Sequence, residues 1–247
     1  MRIAYFDCFA GVSGDMFIGA LLDAGLSIDK LNEELTRLNV PGFKISAFRG
    51  MKGALSGTKF NIEVNEGHTH RHLRHMIEIL DNSELSDATR AKCKAIFKCI
   101  AEAEARIHQT DIQKVHFHEV GGLDSIVDII GSVVALELLG IEEAYCSKIH
   151  LGTGFVKCQH GEIPVPAPAT LDILKGIPVY SRGIQAELTT PTGAALVKNL
   201  CKSFGASPAM KIESIGYGLG TRDLEIPNML RVLVGEAETQ GYDHDQV

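Results

Sequence analysis

The chain has 247 residues, 45% hydrophobic and 22% charged, enough to bury a sizeable core as one large domain or two small ones. Its formal charge is −7 and its 24 Lys and Arg are scattered, so the basic stripe that a nucleic-acid partner requires is missing. The opening residues meet an acidic side chain at Asp7 and do not read as a signal peptide. The most apolar stretch, residues 125–141, is interrupted by Asp128, Gly131, Ser132 and Glu137 and reads as a buried helix, not a membrane span.

Residues 2–6 (RIAYF) are expected to form a strand, the turn 7–14 follows, and a helix runs from about 15 to 24, stopped by Gly25. A second helix is expected over 28–38. Residues 44–48 and 58–64 alternate as strands with a loop at 50–57 between them. A histidine-rich loop, about 66–76, leads into a helix at 72–80, and a long amphipathic helix spans 86–107. Gly121 and Gly122 break the chain before a helix that Asp124 begins and that runs to about Gly140. Residues 144–150 read as one strand leading into LGTGFVKCQHGEIPVPAPAT, where Pro164, Pro166 and Pro168 argue against any regular element until about Ala169. After a short helix, a strand is expected at 184–188. Pro191 stands where an N1 proline would open a helix over 192–200, and strands at 211–217 and 229–234 close the fold. Residues 236–247 carry no apolar periodicity and are expected to be a flexible polar tail. Strands and helices alternate with connections of uneven length. This predicts an α/β domain over 1–235, with α+β as the variant: a mixed sheet, flanking helices and long functional loops.

Six of the ten histidines fall in two clusters, His68, His70, His72 and His75 in GHTHRHLRH, and His116 and His118 in VHFHEVG. Neutral imidazole is the commonest side-chain ligand of nickel, zinc and copper. On a helix His68, His72 and His75 share a face; in an extended segment His68, His70 and His72 do. With neither Cys nor Asp beside them, a borderline ion is favoured over calcium or magnesium, and flexible histidines suit delivery better than catalysis. The bland reading is a solvated polar loop.

His116, His118 and Glu119 are followed by Asp124 and Asp128, which lie one helical turn apart. Two imidazoles and a carboxylate make a recurring open metal site. Asp124 alone could be a helix cap, but Asp128 inside an apolar helix needs a partner. In DCFAGVSGD, Gly11, Ser13 and Gly14 form a turn whose N–H groups suit a phosphate, and Asp7 and Asp15 suit a metal. The turn lacks the GK[ST] ending of a Walker loop and is not GxGxxG, and a plain capped turn is its alternative. His160 and Glu162 occupy the proline-stiffened loop, while Glu187, Thr189, Thr190, Arg222 and Asp223 stand beside glycines. Arg222 suits a phosphate or carboxylate. Asp7, Asp15, Asp124 and Asp128 are thus the candidate catalytic residues. Gly11, Ser13, Gly14, His160, Thr190 and Arg222 are the candidate substrate-binding set, and His68, His70, His72, His75, His116, His118 and Glu119 the candidate metal ligands. Six cysteines at irregular spacing with no CxxC pair favour a reducing cytoplasm.

FDCFAGVSGDMFIGALLDAG, VHFHEVGGLDSIVDI, GEIPVPAPAT, ELTTPTGAAL and GYGLGTRDLEIPNMLRV, in this order, together resemble the LarC-type nickel-insertion proteins, from about residue 2 to 234. The resemblance implies insertion of Ni2+ into pyridinium-3,5-bisthiocarboxylic acid mononucleotide, with Ni–S and Ni–C bonds formed and CTP consumed, to make the nickel-pincer cofactor of lactate racemase. Complete members carry a C-terminal domain implicated in binding CTP and a divalent ion, Mg2+ or Mn2+. That domain is expected to be missing here and to be a partner, as are lactate racemase and further copies of this chain. Two other readings compete: a metal-dependent phosphoester hydrolase using His116, His118, Asp124 and Asp7, and a non-catalytic nickel-storage subunit.

Overall fold

The computed structural model describes residues 1–65, 71–115, 117, 121–158 and 161–238. An interior strand of its sheet, β1 (Arg2–Asp7), contains the RIAYF segment. It pairs antiparallel with β11 (Met229–Ala237) on one side and parallel with β4 (Glu143–Cys146) on the other. Ala4 and Phe6 lie opposite Val234 and Val232, and opposite Ala144 and Cys146. These six belong to one buried cluster, so alternation at period two assigns this face to the core. Beyond β11 follow β10 (Met210–Leu219), β3 (Leu55–Val64) and β2 (Phe43–Lys52), and beyond β4 comes β9 (Cys201–Phe204). The mixed seven-stranded sheet of an α/β protein results, as expected.

Helix α1 (Gly14–Asp23) lies directly on β10 and β3. Gly216 and Gly218 allow this contact, because a Cβ there would fall 2.0 Å from Ala20 O and 1.9 Å from Met16 O. Phe17 reaches the sheet and stacks on Phe6 with ring centroids 4.2 Å apart. The nearly all-apolar α5 (Leu123–Leu138) packs against α1, α2 (Ile28–Thr36), α4 (Asp87–Ile107) and α7 (Pro191–Leu200). That packing answers its sequence, since a helix apolar on every side must be surrounded. Helix α3 (Leu73–Asp81) lies against α4, and α6 (Pro168–Ile173) bridges α4 and α7. No helix of the described residues is long and apolar enough to cross a membrane.

Four expectations need correction. The loop at 50–57 is instead a continuation of the β2–β3 hairpin, with Gly50 opposite Gly57. The glycines admit β10, not a turn: a Cβ on Gly57 would stand 2.5 Å from Tyr217 O. The strand expected over 144–150 divides at Ser147. Its second part, β5 (Ile149–His150), pairs with β8 (Val179–Tyr180) outside the main sheet. The proline-rich stretch contains a hairpin, β6 (Phe155–Cys158) with β7 (Gly161–Pro164), in which Pro164 sits at the last position of an edge strand. Residues 184–188 form no strand. Their alternating Ile184, Ala186 and Leu188 bury against Leu224 and Ile226 in a small satellite cluster, so packing beneath a loop, not sheet pairing, satisfies the pattern. Residues 239–247 of the expected tail lie outside the described residues, and residues 236 and 237 belong to β11.

Candidate functional site

The loop after β1 and the start of α7 are laced together. Val12 N–H donates to Leu188 O (3.0 Å), Thr190 N–H donates to Val12 O (3.1 Å), and Val12 bridges Thr189 in parallel. Glycine in the first turn of α7 permits this approach, because a Cβ on Gly193 would lie 2.1 Å from Val12 O. Ser13 is the N-cap of α1 and Thr190 that of α7, where its Oγ1 accepts the Gly193 N–H at 3.1 Å. Two helix N-termini, each carrying partial positive charge, therefore flank one cleft.

The cleft has two lobes that share Ser13, Asp15, Glu187 and Thr190. The first, about 170 Å³, is completed by Gly220, Thr221, Arg222 and Asn228 of the β10–β11 loop. That loop is pinned: Gly220 N–H donates to Asn228 O (2.9 Å), Asn228 Nδ2 to Arg222 O (2.9 Å), and Lys52 Nζ to the carbonyls of Thr221 and Arg222 (3.2 and 3.0 Å). Lys59 adds a second cation at the boundary, where it pairs with Asp15 and donates to Thr221 Oγ1 at 2.8 Å. The second lobe, about 280 Å³, is completed by Gly14, Pro191, Thr192, Ser125 and Asp128. The first lobe thus adds a guanidinium to the two shared carboxylates, and the second adds a third carboxylate, Asp128.

The two carboxylates contributed by helices differ. Asp15 is saturated: its Oδ1 accepts from Ser13 Oγ and from Met16 N–H (2.9 Å), and its Oδ2 pairs with Lys59. Asp128 Oδ1 is sealed from solvent and has no hydrogen-bond partner among the described residues. Burial pushes the Asp128 carboxyl well above the usual carboxylate range. Asp15 and Asp124 push it the same way, and only Lys59 opposes them.

The histidine-bearing segments meet at the start of α5. Phe117 N–H donates to Arg71 O (3.2 Å) in an antiparallel bridge, and Arg71 Nη1 donates to Gly121 O (3.2 Å). His72 Nδ1 bonds to Val115 O at 2.9 Å. A carbonyl only accepts, so this Nδ1 carries the proton and the lone pair resides on Nε2, the tautomer in which Nε2 can ligate a metal. His75 Nδ1 accepts the His72 backbone N–H at 3.1 Å. Its Nε2 lies 3.2 Å from Arg74 Nε, so both ring nitrogens of His75 are engaged within the fold.

Of the residues singled out from sequence, Ser13, Gly14, Asp15, Asp128, Thr190 and Arg222 line the cleft together with Glu187. Gly11 shapes the turn from outside it, at φ +82° and with a Cβ position 2.1 Å from Leu188 O. Asp7 does not line the cleft, because it pairs with Arg231 (2.5 Å), its opposite residue on β11, on the sheet face away from the core. Asp124 is exposed in the first turn of α5 and acts on Asp128 only through its charge. His68, His70, His116, His118, Glu119 and His160 lie outside the described residues. Among the described residues, no group of three or more His, Cys, Asp or Glu is placed to hold a metal ion. Sequence reasoning missed Lys59, Ser125, Thr192, Thr221 and Asn228. Asn228, next to Pro227 in a glycine-bearing loop, had a weak turn signal, and Lys59 in an alternating strand had none.

A family model described as nickel insertion protein matches residues 4–247. A protein of Dictyoglomus thermophilum is 50% identical over 236 residues, covering 96% of this chain and 61% of its own length. Other relatives bear the name pyridinium-3,5-bisthiocarboxylic acid mononucleotide nickel insertion protein, among them the following two. That of Desulfitobacterium hafniense is 48% identical over 96% of this chain and 59% of its own. That of Geobacillus kaustophilus is 48% identical over 96% of this chain and 60% of its own. The chain therefore spans about three fifths of the length of these relatives. No solved structure matches it.

Proposed function

The chain belongs to the nickel insertion protein family, and from that premise we propose that it collects Ni2+ and inserts it into pyridinium-3,5-bisthiocarboxylic acid mononucleotide. The observation that carries this reading is the pairing of the α1 and α7 N-termini beside Arg222 and Lys59. The mononucleotide has one phosphate, and the first lobe offers that group the partial positive charge of two helix N-termini, the Thr190 hydroxyl and a guanidinium. The ring then extends into the second lobe, toward the end of α5 where the histidine segments join.

On this reading His68, His70, His72 and His75 acquire nickel, and His116, His118 and Glu119 hold it next to the acceptor. The contacts of Arg71 and His72 with Phe117, Val115 and Gly121 support it, since they join the two segments at one place. Imidazole is a weaker donor to nickel than a planar pair of thiocarboxylates, so the ion moves from protein to ring. CTP with Mg2+ or Mn2+ acts through the C-terminal domain of the longer relatives, lactate racemase receives the product, the setting is cytoplasmic and the assembly is a homo-oligomer.

The test mixes the chain with a relative's C-terminal domain, CTP, Mg2+, Ni2+ and the mononucleotide, and follows the metallated product by mass. Product is expected, and alanine at His68, His70, His72 and His75 together is expected to weaken nickel binding in calorimetry. Unchanged nickel affinity in that variant would remove the delivery role, and wild-type protein that binds nickel but never yields product would favour storage.

A further inference from the structure

Insertion into this ring has to dispose of a proton. Thiocarboxylates at positions 3 and 5 converge on position 4, so a nickel ion bound by both sulfurs lies against the C4–H bond. We propose that Asp128 accepts that proton, an assignment that rests on the insertion reading above. The C4–H bonding pair becomes the Ni–C pair, the proton passes to the Asp128 carboxylate, nickel remains Ni(II), and no oxidant or reductant takes part.

Three features of the site point to Asp128 over its neighbours. The first is an uncommitted carboxylate: its sealed Oδ1 has no hydrogen-bond partner among the described residues and so does not tie the group to the fold, whereas both oxygens of Asp15 are committed to Ser13, Met16 and Lys59. A buried carboxylate oxygen left unpaired carries a desolvation cost that has no structural return. The second is fixed position. A Cβ on Gly14 would fall 2.5 Å from Asp128 Oδ2 and 2.6 Å from its Cβ, so the side chain is pressed against the α1 backbone, and Val127 and Ile129 on either side are fully buried. The third is location: Asp128 lines the second lobe and rides on α5, whose N-terminal end meets the histidine segments through Arg71 and Gly121.

The charged groups around the carboxyl are Asp15 on α1, Asp124 on α5 itself, Glu187 across the lobe and Lys59 on β3. Burial and the acidic neighbours raise its affinity for a proton, which is what a base for a weakly acidic C–H requires.

The experiment is the metallation assay at saturating Ni2+, run with wild type, Asp128→Asn and Asp128→Glu, with nickel and mononucleotide binding measured separately by calorimetry. Removing a positioned general base typically costs about 10²–10⁴ in rate. Asp128→Asn is therefore expected to lower the metallation rate about 100-fold or more while both affinities stay within about twofold. Asp128→Glu is expected to recover part of the rate. The wild-type rate is expected to rise with pH at saturating nickel, and Asp128→Asn to lose that rise. In the slowed Asn variant, deuterium at ring position 4 slows the reaction further. An Asn variant that metallates at the wild-type rate overturns the proposal. So does a slow variant with no deuterium effect, or one whose rate falls only in step with lost nickel or mononucleotide binding. If wild type itself gives no product, the insertion reading fails first and the assignment falls with it.

Discussion

The cleft between α1 and α7 and the junction where the α3 start meets Val115, Phe117 and Gly121 are built in opposite ways. The cleft is made of backbone: crossed hydrogen bonds between Val12, Leu188 and Thr190, two N-caps, and glycines that admit carbonyls where a methyl would not fit. The junction is made of side chains at segment ends, a single bridge, and imidazoles that already serve the fold, His72 on Val115 and His75 on the His72 N–H. A site that holds a phosphate gains from preorganisation, because its donors need no reordering when the ligand arrives. A site that releases a metal gains from ligands whose rings have another use in the protein.

That contrast breaks most easily at Gly193. Gly193→Ala puts a methyl 2.1 Å from Val12 O, a backbone atom that cannot step aside without separating the two helix starts. Overpacking of this kind costs about 3 kcal/mol. A lower urea midpoint with unchanged m, together with loss of inorganic phosphate binding, is the expected result. Stability and phosphate affinity both equal to wild type would show that the lacing is incidental.

Arg222→Ala and His72→Ala sharpen the same comparison from its two sides. A charge-assisted contact to phosphate is worth about 1.5–3 kcal/mol, and Arg222 is exposed, so the low end applies. Mononucleotide affinity should fall about tenfold to thirtyfold while nickel affinity holds. His72→Ala should do the reverse. If each variant reduced both affinities equally in calorimetry, the two regions would be one coupled site.

The backbone half of this picture was largely legible in the sequence. Thr190 followed by Pro191 and glycine at 193 declares a helix start, and Ser13–Gly14–Asp15 after a strand declares another. Neither signal says that the two starts lie side by side, because that depends on the carbonyls of Val12 and Leu188, which carry no side-chain signature. Asp128 stood out as a carboxylate among apolar residues, but only the fold reveals Gly14 against it. Lys59 was invisible because a lysine in an alternating strand is ordinarily a solvated face. The edge strand β9 escaped notice because Cys-Lys-Ser-Phe has too little apolar content to announce a strand.

The smallest expected effect tests whether Asp128 belongs to the fold or to the chemistry. Its carboxyl is raised above the ordinary carboxylate range by burial first, with Asp15 and Asp124 adding to it. A carboxyl raised in the folded state costs no stability below the unfolded value, near pH 3.9, where both states hold the proton. As pH rises from there through the folded value, the unfolded chain ionises more readily and stability is lost. Asp128→Asn cannot ionise, so it should match wild type below about pH 4 and exceed it at neutral pH by about 1 kcal/mol, the low end for an unpaired buried group. Chemical denaturation at pH 3.5 and pH 7.5 reads the difference directly. Asn that is more stable yet slower in metallation marks a residue kept at the expense of the fold. Asn that is less stable at pH 7.5 would make Asp128 a structural acid, and the acidic lobe would then belong to the same rigid frame as the laced helix starts.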